Sequence, residues 1–200
     1  MGASCIYPLL ASSRENYTLY GTDIDPHSLS SAQENVDINA LSSRIHVRLS
    51  TPDSPLFPLK ALGVEKLDFT MCNPPFYSSK EDMDSSELAK GKPPSAVCTG
   101  ADVEMICEGG DVGFVLRMVE ESLILREKVQ WYTSMLGKLS SAYKVVDRLK
   151  EVGVGNWAVA CLKGGTKTRR WVVGWSFGDR RPRYVSLPAS FSLSNISLAY

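Results

Sequence analysis

Residues 17–49 alternate between β-prone and helical patterns in a way that restricts the fold. Two short β-prone runs, Tyr17–Gly21 and Ile45–Leu49, flank a helix that Pro26 opens and that carries apolar residues near helical spacing. Two strands joined through a helix lie parallel in one sheet. This βαβ unit therefore predicts a parallel sheet with helices packed beside it.

The rest of the chain continues the alternation of strands and helices. The further elements predicted by periodicity are a strand at Leu67–Cys72, a helix over about 114–128, a strand at Val129–Leu136, a helix over about 141–152, and strands at Trp157–Leu162 and Trp171–Phe177. The last two strands flank Gly164 and Gly165, which predicts an antiparallel hairpin. The fold class is thus α/β, with one domain over residues 1–178.

Two stretches lack a clear strand or helix pattern. Residues 77–111 are a long polar insertion, with a net charge of −5 over residues 80–111, and residues 179–200 form a tail rich in Pro, Ser and Arg that we expect to be disordered. On the helix over 114–128, the residues expected in the core are Phe114, Leu116, Val119, Leu123 and Leu125.

Composition excludes several classes of protein. A chain with 44% hydrophobic and 22% charged residues is typical of globular proteins, and no apolar run approaches the roughly 20 residues of a membrane span. The five cysteines include no C-x-x-C pair and there are only two histidines, so we expect no metal. Reduced thiols indicate a nuclear or cytoplasmic protein, which we expect to be a monomer without membrane contact.

The formal net charge of zero conceals an uneven distribution. Residues 163–183 carry seven basic residues and one acid, so this stretch is +6 and the remainder is −6. Lys167 and Arg170 lie at the tip of the predicted hairpin. A basic hairpin tip is either a solvated turn or a contact site for the phosphates of a nucleic acid.

The strand at Leu67–Cys72 ends in Asn73-Pro74-Pro75-Phe76, and this is the most specific motif in the chain. Two adjacent prolines cannot continue a hydrogen-bonded ladder. An Asn amide, proline-fixed carbonyls and an aromatic ring together suit a planar, aminated ring that donates its NH₂ to oxygens and stacks on Phe76. The motif predicts a binding pocket at the carboxyl end of a parallel strand, where ligands of such sheets bind.

Two further features are expected at this edge of the sheet. Asp23 follows a strand, where an acid either accepts hydrogen bonds from a ribose diol or caps the next helix. Gly2-Ala3-Ser4 opens a predicted helix, and a glycine there lets a ligand approach backbone amides.

Asn73-Pro74-Pro75-Phe76 resembles the [D/N/S]-P-P-[Y/F] motif of class I, S-adenosylmethionine-dependent amino-methyltransferases. Five segments are similar in order and spacing to one group within that class: Gly2–Leu10, Phe69–Tyr77, Glu108–Gly110, Trp131–Lys138 and Arg170–Phe177. The group is the methyltransferase-like protein 16 family of RNA adenosine-N6 methyltransferases, whose bacterial relatives modify an adenine of large-subunit ribosomal RNA. The resemblance covers residues 2–178.

The resemblance implies a Rossmann-like class I sheet, S-adenosylmethionine as cofactor, and a structured RNA, small nuclear or ribosomal, as substrate. It implies cofactor-binding roles for five residues: Gly2, Ser4, Asp23, Ser54 and Asn73. Asn73 would also face the target amine, and Pro74, Pro75 and Phe76 would build the base pocket. Lys167 and Arg170 match positions that hold RNA.

The mechanism implied by this match is positional. The exocyclic amine of adenine is a poor nucleophile because its lone pair is delocalised into the ring. Hydrogen bonds to Asn73 and to the Pro74 carbonyl would favour pyramidalisation and direct the lone pair at the methyl group, without a general base. The target base would have to leave its stack.

One part of the class I pattern is missing from the sequence. These enzymes begin with a strand ending in acid-x-Gly-x-Gly, of which only the last glycine, Gly2, is present. In the usual strand order 3-2-1-4-5-7-6, the first strand is central, so its absence leaves two strands unpaired on one side or forces them together. We therefore expect an N-terminally truncated chain that binds its cofactor weakly or not at all.

Two alternative functions remain open at this point. The first is a small-molecule amine N-methyltransferase, since an offshoot of the family methylates indole-ethylamines with the same motif, although Met135 matches the RNA enzymes. The second is a non-catalytic RNA-binding remnant, which the missing strand favours.

Overall fold

The computed structural model describes residues 1–90, 105–164 and 168–181. The chain divides into two compact units. The described part of the first unit is residues 1–63, and that of the second is residues 64–90, 105–164 and 168–181.

The first unit has the predicted βαβ organisation. Its elements in chain order are α1 (Ile6–Arg14), β1 (Leu19–Asp23), α2 (Pro26–Ile38), β2 (Ile45–Leu49) and the short α3 (Leu59–Leu62). Strands β1 and β2 pair in parallel, from Leu19 opposite Ile45 to Asp23 opposite Leu49. The parallel pairing predicted from the sequence is therefore confirmed.

Helix α2 begins where its N-terminal signals lie. The Asp25 carboxylate accepts hydrogen bonds from the backbone N–H groups of His27 and Ser28, at 3.4 and 2.9 Å. Pro26, which has no N–H to satisfy, occupies the first turn. The apolar face of α2 supplies Ala32 and Val36 to a small core. Asp25 is thus the helix cap, which leaves Asp23 for another role.

The second unit contains a four-stranded sheet with helices beside it. Its elements are β3 (Leu67–Phe69), α4 (Lys80–Lys90), α5 (Gly110–Leu125), a 3₁₀ turn (Arg126–Lys128), β4 (Val129–Leu136), α6 (Leu139–Glu151), β5 (Asn156–Gly164) and β6 (Thr168–Ser176). The strand order is β3-β4-β6-β5, in which β3 and β4 are parallel and β6 is antiparallel to both its neighbours. The α/β class and the C-terminal antiparallel hairpin are both confirmed.

Strand β3 is shorter than predicted, but its hydrogen bonding continues. The Thr70 N–H donates to the Trp131 carbonyl, and the Met135 N–H donates to the Cys72 carbonyl, both at 2.9 Å. The ladder therefore runs as far as Cys72, and the motif begins at the next residue.

The core of the second unit is organised around two aromatic rings of neighbouring strands. Tyr132 and Trp175 are fully buried and stack with their ring centroids 5.6 Å apart. The Trp175 indole N–H donates to the Ser122 hydroxyl of α5 at 2.9 Å. Satisfying this donor lets the indole be buried without cost from an unpaired polar group.

Two expectations about residues 77–128 need correction. Part of the predicted insertion is helical, since α4 occupies Lys80–Lys90, and residues 91–104 lie outside the described part of the chain. Helix α5 starts at Gly110, before the predicted position, because left-handed Gly109 turns the chain and Asp111 favours the first turn. The buried face of α5 also differs from the predicted one. In the structure its buried residues include Val115, Met118, Val119 and Ser122.

Each of β1 and β3 has one strand neighbour in the described part of the chain, and the expectation of an N-terminally truncated chain stays an expectation. Among the residues that the structure describes, β1 hydrogen-bonds only with β2, and β3 only with β4. Most of the predicted tail, residues 182–200, lies outside those residues, and the prediction of a single domain over 1–178 stays a prediction.

Candidate functional site

Gly2 and Asp23, two of the predicted cofactor-binding residues, lie together in the first unit. The Gly2 backbone N–H donates to Asp23 Oδ2 at 2.8 Å, and the Met1 ammonium donates to the same oxygen at 3.2 Å. The Asp25 N–H donates to Asp23 Oδ1 at 3.1 Å. Asp23 ends β1 and is only 8% exposed, so these three donors hold its carboxylate in one orientation.

Asp23 is ionised at neutral pH. Burial disfavours its charged form, but the hydrogen bonds from Asp25 and Gly2 and the attraction of the Met1 ammonium outweigh burial, so the pKa is lowered. A carboxylate has about four lone-pair sites, and three hydrogen bonds leave one for a further donor. The site therefore fits a hydroxyl such as that of a ribose.

The two predicted serine contacts also belong to the first unit. Ser4 is exposed between Gly2 and α1. Ser54 is in a turn that follows β2, where its hydroxyl lies 2.8 Å from the Thr51 hydroxyl and its N–H donates to the Thr51 carbonyl. The Ser50 N–H donates to the Asp23 carbonyl at 2.8 Å, so the loop that carries Ser54 leaves the sheet beside Asp23.

The Asn73–Phe76 motif lies at the carboxyl end of the β3 ladder in the second unit. Asn73 is exposed, and its side-chain amide makes no hydrogen bond within the described part of the chain. Pro74 is buried, while Pro75 and Phe76 are half-buried. The motif thus presents an unengaged amide beside a partly covered ring, which is the arrangement that a planar amine requires.

The structure brings Arg170, predicted to bind RNA, onto Phe76. The guanidinium carbon lies 5.2 Å from the centroid of the Phe76 ring, a cation–π contact. The pairing of β4 with β6 explains this position, because Leu136 is opposite Trp171 and Arg170 is the next residue. Lys167, the other predicted RNA contact, lies outside the described residues.

Neither of the described cysteine thiols close to the motif is suited to act as a nucleophile. Burial raises the pKa of the Cys72 thiol to about 11 and also raises the pKa of Cys107, so both thiols are protonated at neutral pH. The described thiols therefore offer no thiolate nucleophile, and the groups that the motif presents are the Asn73 amide and the Phe76 ring.

The sequence did not predict the contacts that residues 107–111 make with the motif and with Gly137. A cysteine-to-aspartate turn, Cys107–Asp111, packs against the backbone of Phe76 and Tyr77, and the Asp111 carboxylate binds the Gly137 N–H. In the sequence, Glu108–Gly110 stands out only through its similarity to the methyltransferase-like protein 16 family. Asp111 gives little signal in the sequence, because it lies before the helix over about 114–128 that periodicity predicts.

Two kinds of feature, metal-binding clusters and membrane-spanning helices, were sought in the described residues and neither occurs there. Within residues 1–90, 105–164 and 168–181, no cluster of three or more His, Cys, Asp or Glu side chains could hold a metal ion. In the same part of the chain, no helix is both long enough and apolar enough to cross a membrane.

Comparison with known proteins gives matches along nearly the whole chain. The sequence profile of a family described as RNA methyltransferase matches residues 1–179. The U6 small nuclear RNA (adenine-(43)-N(6))-methyltransferase of Schizosaccharomyces pombe is 44% identical over 194 residues, which are 96% of this chain and 49% of that protein. The chain thus spans about half the length of this curated relative.

Solved structures agree with the sequence matches. The human Mettl16 catalytic domain in complex with the MAT2A 3′UTR hairpin 1 has a TM-score of 0.79 and 36% identity, covering 90% of this chain and 63% of that one. The N-terminal domain of human METTL16 in complex with SAH has a TM-score of 0.69 and 32% identity, covering 89% and 59%. From the profile match and these likenesses, the chain belongs to the RNA methyltransferase family.

Proposed function

We propose that this protein transfers a methyl group from S-adenosylmethionine to the N6 amine of an adenosine in a structured RNA. The main observation behind the proposal is the exposed Asn73 amide, which makes no hydrogen bond among the described residues. It lies near Phe76, whose ring makes a cation–π contact with Arg170. An amide acceptor, a stacking ring and a cation are the groups needed to hold one base of a phosphodiester chain.

The cofactor role is assigned to Gly2, Ser4, Asp23 and Ser54. Asp23 would accept a hydrogen bond from a ribose hydroxyl at its remaining lone-pair site, and the Gly2 N–H would help to hold the carboxylate in place through its own hydrogen bond to Oδ2. S-adenosylmethionine, when bound, supplies a methyl group on a positively charged sulfur. The human METTL16 domain in complex with SAH supports this choice of cofactor.

Asn73 and Pro74 orient the target amine. The Asn73 side-chain oxygen and the Pro74 carbonyl accept the two N–H groups of the amine, which draws its lone pair out of conjugation with the ring. No general base is needed, because the methylated amine is acidic and gives up its proton to solvent. Orientation alone supplies much of the rate enhancement in this scheme.

Phe76 and Arg170 receive the base and the strand that carries it. Phe76 stacks on the adenine after the base has left its own stack. Arg170 exchanges its contact with Phe76 for one with a phosphate, and Lys167 joins it. Arg170 lies within β6, opposite Leu162, rather than at the hairpin tip as predicted, and its contact with Phe76 favours RNA binding over a solvated turn.

The proposed partner is a folded small nuclear or ribosomal RNA, met by a monomer in the nucleus or cytoplasm. Support comes from the S. pombe relative, named for U6 small nuclear RNA, and from the human domain in complex with an RNA hairpin.

The test is transfer of radiolabelled methyl from S-adenosylmethionine to an RNA hairpin with an unpaired adenosine, compared with a panel of small amines. Asn73→Ala should abolish transfer and leave RNA binding unchanged, while Asp147→Asn, an exposed acid on α6, serves as the control. Transfer to amines but not RNA would establish the small-molecule alternative. RNA binding without transfer in the unchanged chain would establish the RNA-binding remnant.

A further inference from the structure

Asp111 is a buried carboxylate with two partners from one neighbouring segment. It lies in the first turn of α5 and is 7% exposed. Its Oδ2 accepts the Gly137 backbone N–H at 2.7 Å, and its Oδ1 accepts the Ser141 hydroxyl at 3.0 Å. The carboxylate therefore ties the start of α5 to the β4–α6 connection, across 26 residues of sequence.

Gly137, the residue held by Asp111, is in close contact with Phe76. A Cβ added at Gly137 would lie 3.1 Å from Phe76 Cδ1 and 3.4 Å from Asp111 Oδ2. The Gly137 backbone is thus enclosed by the Phe76 ring edge and the carboxylate. Displacement of Gly137 would leave room for the Phe76 ring to move.

Residues 105–110, just before Asp111, also contact the backbone at the end of the motif. The Tyr77 N–H donates to the Met105 carbonyl, and the Cys107 N–H donates to the Tyr77 carbonyl, both at 3.0 Å. A Cβ at Gly110 would lie 3.1 Å from the Phe76 carbonyl oxygen. Residues 105–111 therefore contact the backbone of Phe76 and of the next residue, Tyr77, and, by way of Gly137, the ring of Phe76.

We propose that Asp111 is a positioning residue of the adenine pocket: by holding Gly137 against the edge of Phe76, it fixes the ring plane on which the target base stacks. This inference rests on the proposed function, in which Phe76 receives the base. A charged acceptor suits the task because charge-assisted hydrogen bonds are shorter and stronger than neutral ones. The Ser141 hydroxyl binds the other carboxylate oxygen, Oδ1, and is not part of the contact between Oδ2, Gly137 and Phe76.

The experiment compares four variants of the whole chain. Asp111→Ala removes both hydrogen bonds, and Asp111→Asn restores an acceptor for Gly137. Ser141→Ala removes only the bond that does not lead to Phe76, so it controls for loss of stability. Gly137→Ala keeps the Asp111 hydrogen bonds but crowds the Phe76 edge, so the test still stands if Asp111→Ala fails to fold.

Two measurements are made on each variant. The first is the ring-current shift of the Gly137 resonances by NMR, defined by comparison with Phe76→Leu. The second is kcat and KM for methyl transfer to the RNA hairpin, with melting temperature recorded alongside. The NMR measurement needs neither cofactor nor RNA, so it tests the contact even if no transfer occurs.

We expect Asp111→Ala to lose the ring-current shift and to lower kcat on the order of 10-fold with little change in KM, since misplacement by about 1 Å can cost about 100-fold. Asp111→Asn should recover most of both, and Ser141→Ala should retain both at a lower melting temperature. Gly137→Ala should lower kcat without a matching loss of stability.

Two results would overturn the inference: a ring-current shift that survives Asp111→Ala, or losses of kcat that simply follow melting temperature across all variants. If the unchanged chain shows no transfer at all, the proposed function fails, and with it the role in the reaction. The NMR comparison would in that case still decide whether Asp111 holds Gly137 on Phe76.

Discussion

Replacing Arg170 tests whether the cation that stacks on Phe76 also contacts the RNA backbone. In the free protein its guanidinium lies 5.2 Å from the ring centroid at a half-buried position. Such a contact contributes about 0.5–1 kcal/mol. An incoming base that takes this ring face must displace the arginine, which weakens base binding by about two- to fivefold.

Arg170→Ala removes this competition and also removes one phosphate contact, so the two effects on affinity oppose each other. Salt dependence separates them. Each neutralised phosphate contributes about 0.7–0.9 to the slope of log Kobs against log salt, whereas a cation–π contact within the free protein contributes nothing to counterion release. We expect Arg170→Ala to lower the slope by that amount, and Arg170→Lys to retain it because the charge remains.

The assay is fluorescence anisotropy of a labelled RNA hairpin, titrated between about 50 and 200 mM salt. Arg126→Ala is the matched control, because the Arg126 guanidinium stacks on Phe177 at 4.8 Å in the same unit. An Arg170→Ala slope equal to that of the unchanged chain would refute the phosphate contact. An equal loss of slope in Arg126→Ala would show that any surface arginine has this effect.

Three further predictions concern the cofactor, the base and the core. Asp23→Asn should weaken S-adenosylmethionine binding, already expected to be weak in this chain, by about 10-fold or more in calorimetry, since a hydrogen bond to a charged group contributes about 1.5–3 kcal/mol. Because the Asp23 pKa is lowered, binding in the unchanged chain should persist through the pH range in which an ordinary aspartate protonates and be lost only at lower pH, as this carboxylate protonates. Phe76→Ala should weaken binding of the hairpin by about 1–3 kcal/mol, measured by anisotropy, and leave the salt slope unchanged. Trp175→Phe removes the N–H donor to Ser122 and should lower the free energy of unfolding in urea by about 1–3 kcal/mol.

Each of these predictions has an outcome that contradicts it. Cofactor affinity unchanged in Asp23→Asn would exclude the carboxylate from ribose binding. A smaller salt slope in Phe76→Ala would mean that the substitution disturbs the hairpin rather than the base. Unfolding of Trp175→Phe at the same urea concentration as the unchanged chain would show that the buried hydrogen bond contributes nothing net.

Strands bounded by strong local signals were predictable from the sequence. Val129–Leu136 and Ile45–Leu49 were predicted with the bounds that the structure has. Both are β-branched or apolar runs closed by turn residues, and such signals act over a few residues. The carboxyl-terminal hairpin was predictable for the same reason.

The buried face of α5 was not predictable, because its helix has apolar residues on more than one side. Of the five expected core residues, Val119 is buried, while Phe114, Leu116, Leu123 and Leu125 are half-buried. Ser122 is buried instead, and its partner Trp175 is 53 residues away. Periodicity within one helix carries no information about such a partner.

The candidate site also combines features that local sequence predicts with contacts that it does not predict. The position of Asn73 after a strand and of Asp23 after another follows from local sequence, and the structure places both at strand ends. The Arg170 contact with Phe76 and the Asp111 contact with Gly137 join distant segments through the sheet. A single sequence records neither contact, since both depend on which strands become neighbours.

The position of β6 between β4 and β5 has a consequence for the order in which the second unit folds. Strand β6, which follows β5 in the chain, lies inside the four-stranded sheet rather than at its edge. On a ribosome, β4 and β5 therefore emerge before the strand that joins them, and their exposed edges await residues 168–176. Non-local pairing of this kind slows folding and prolongs the exposure of strand edges to aggregation. A premature stop codon upstream of β6 would thus leave a nascent chain in need of chaperones.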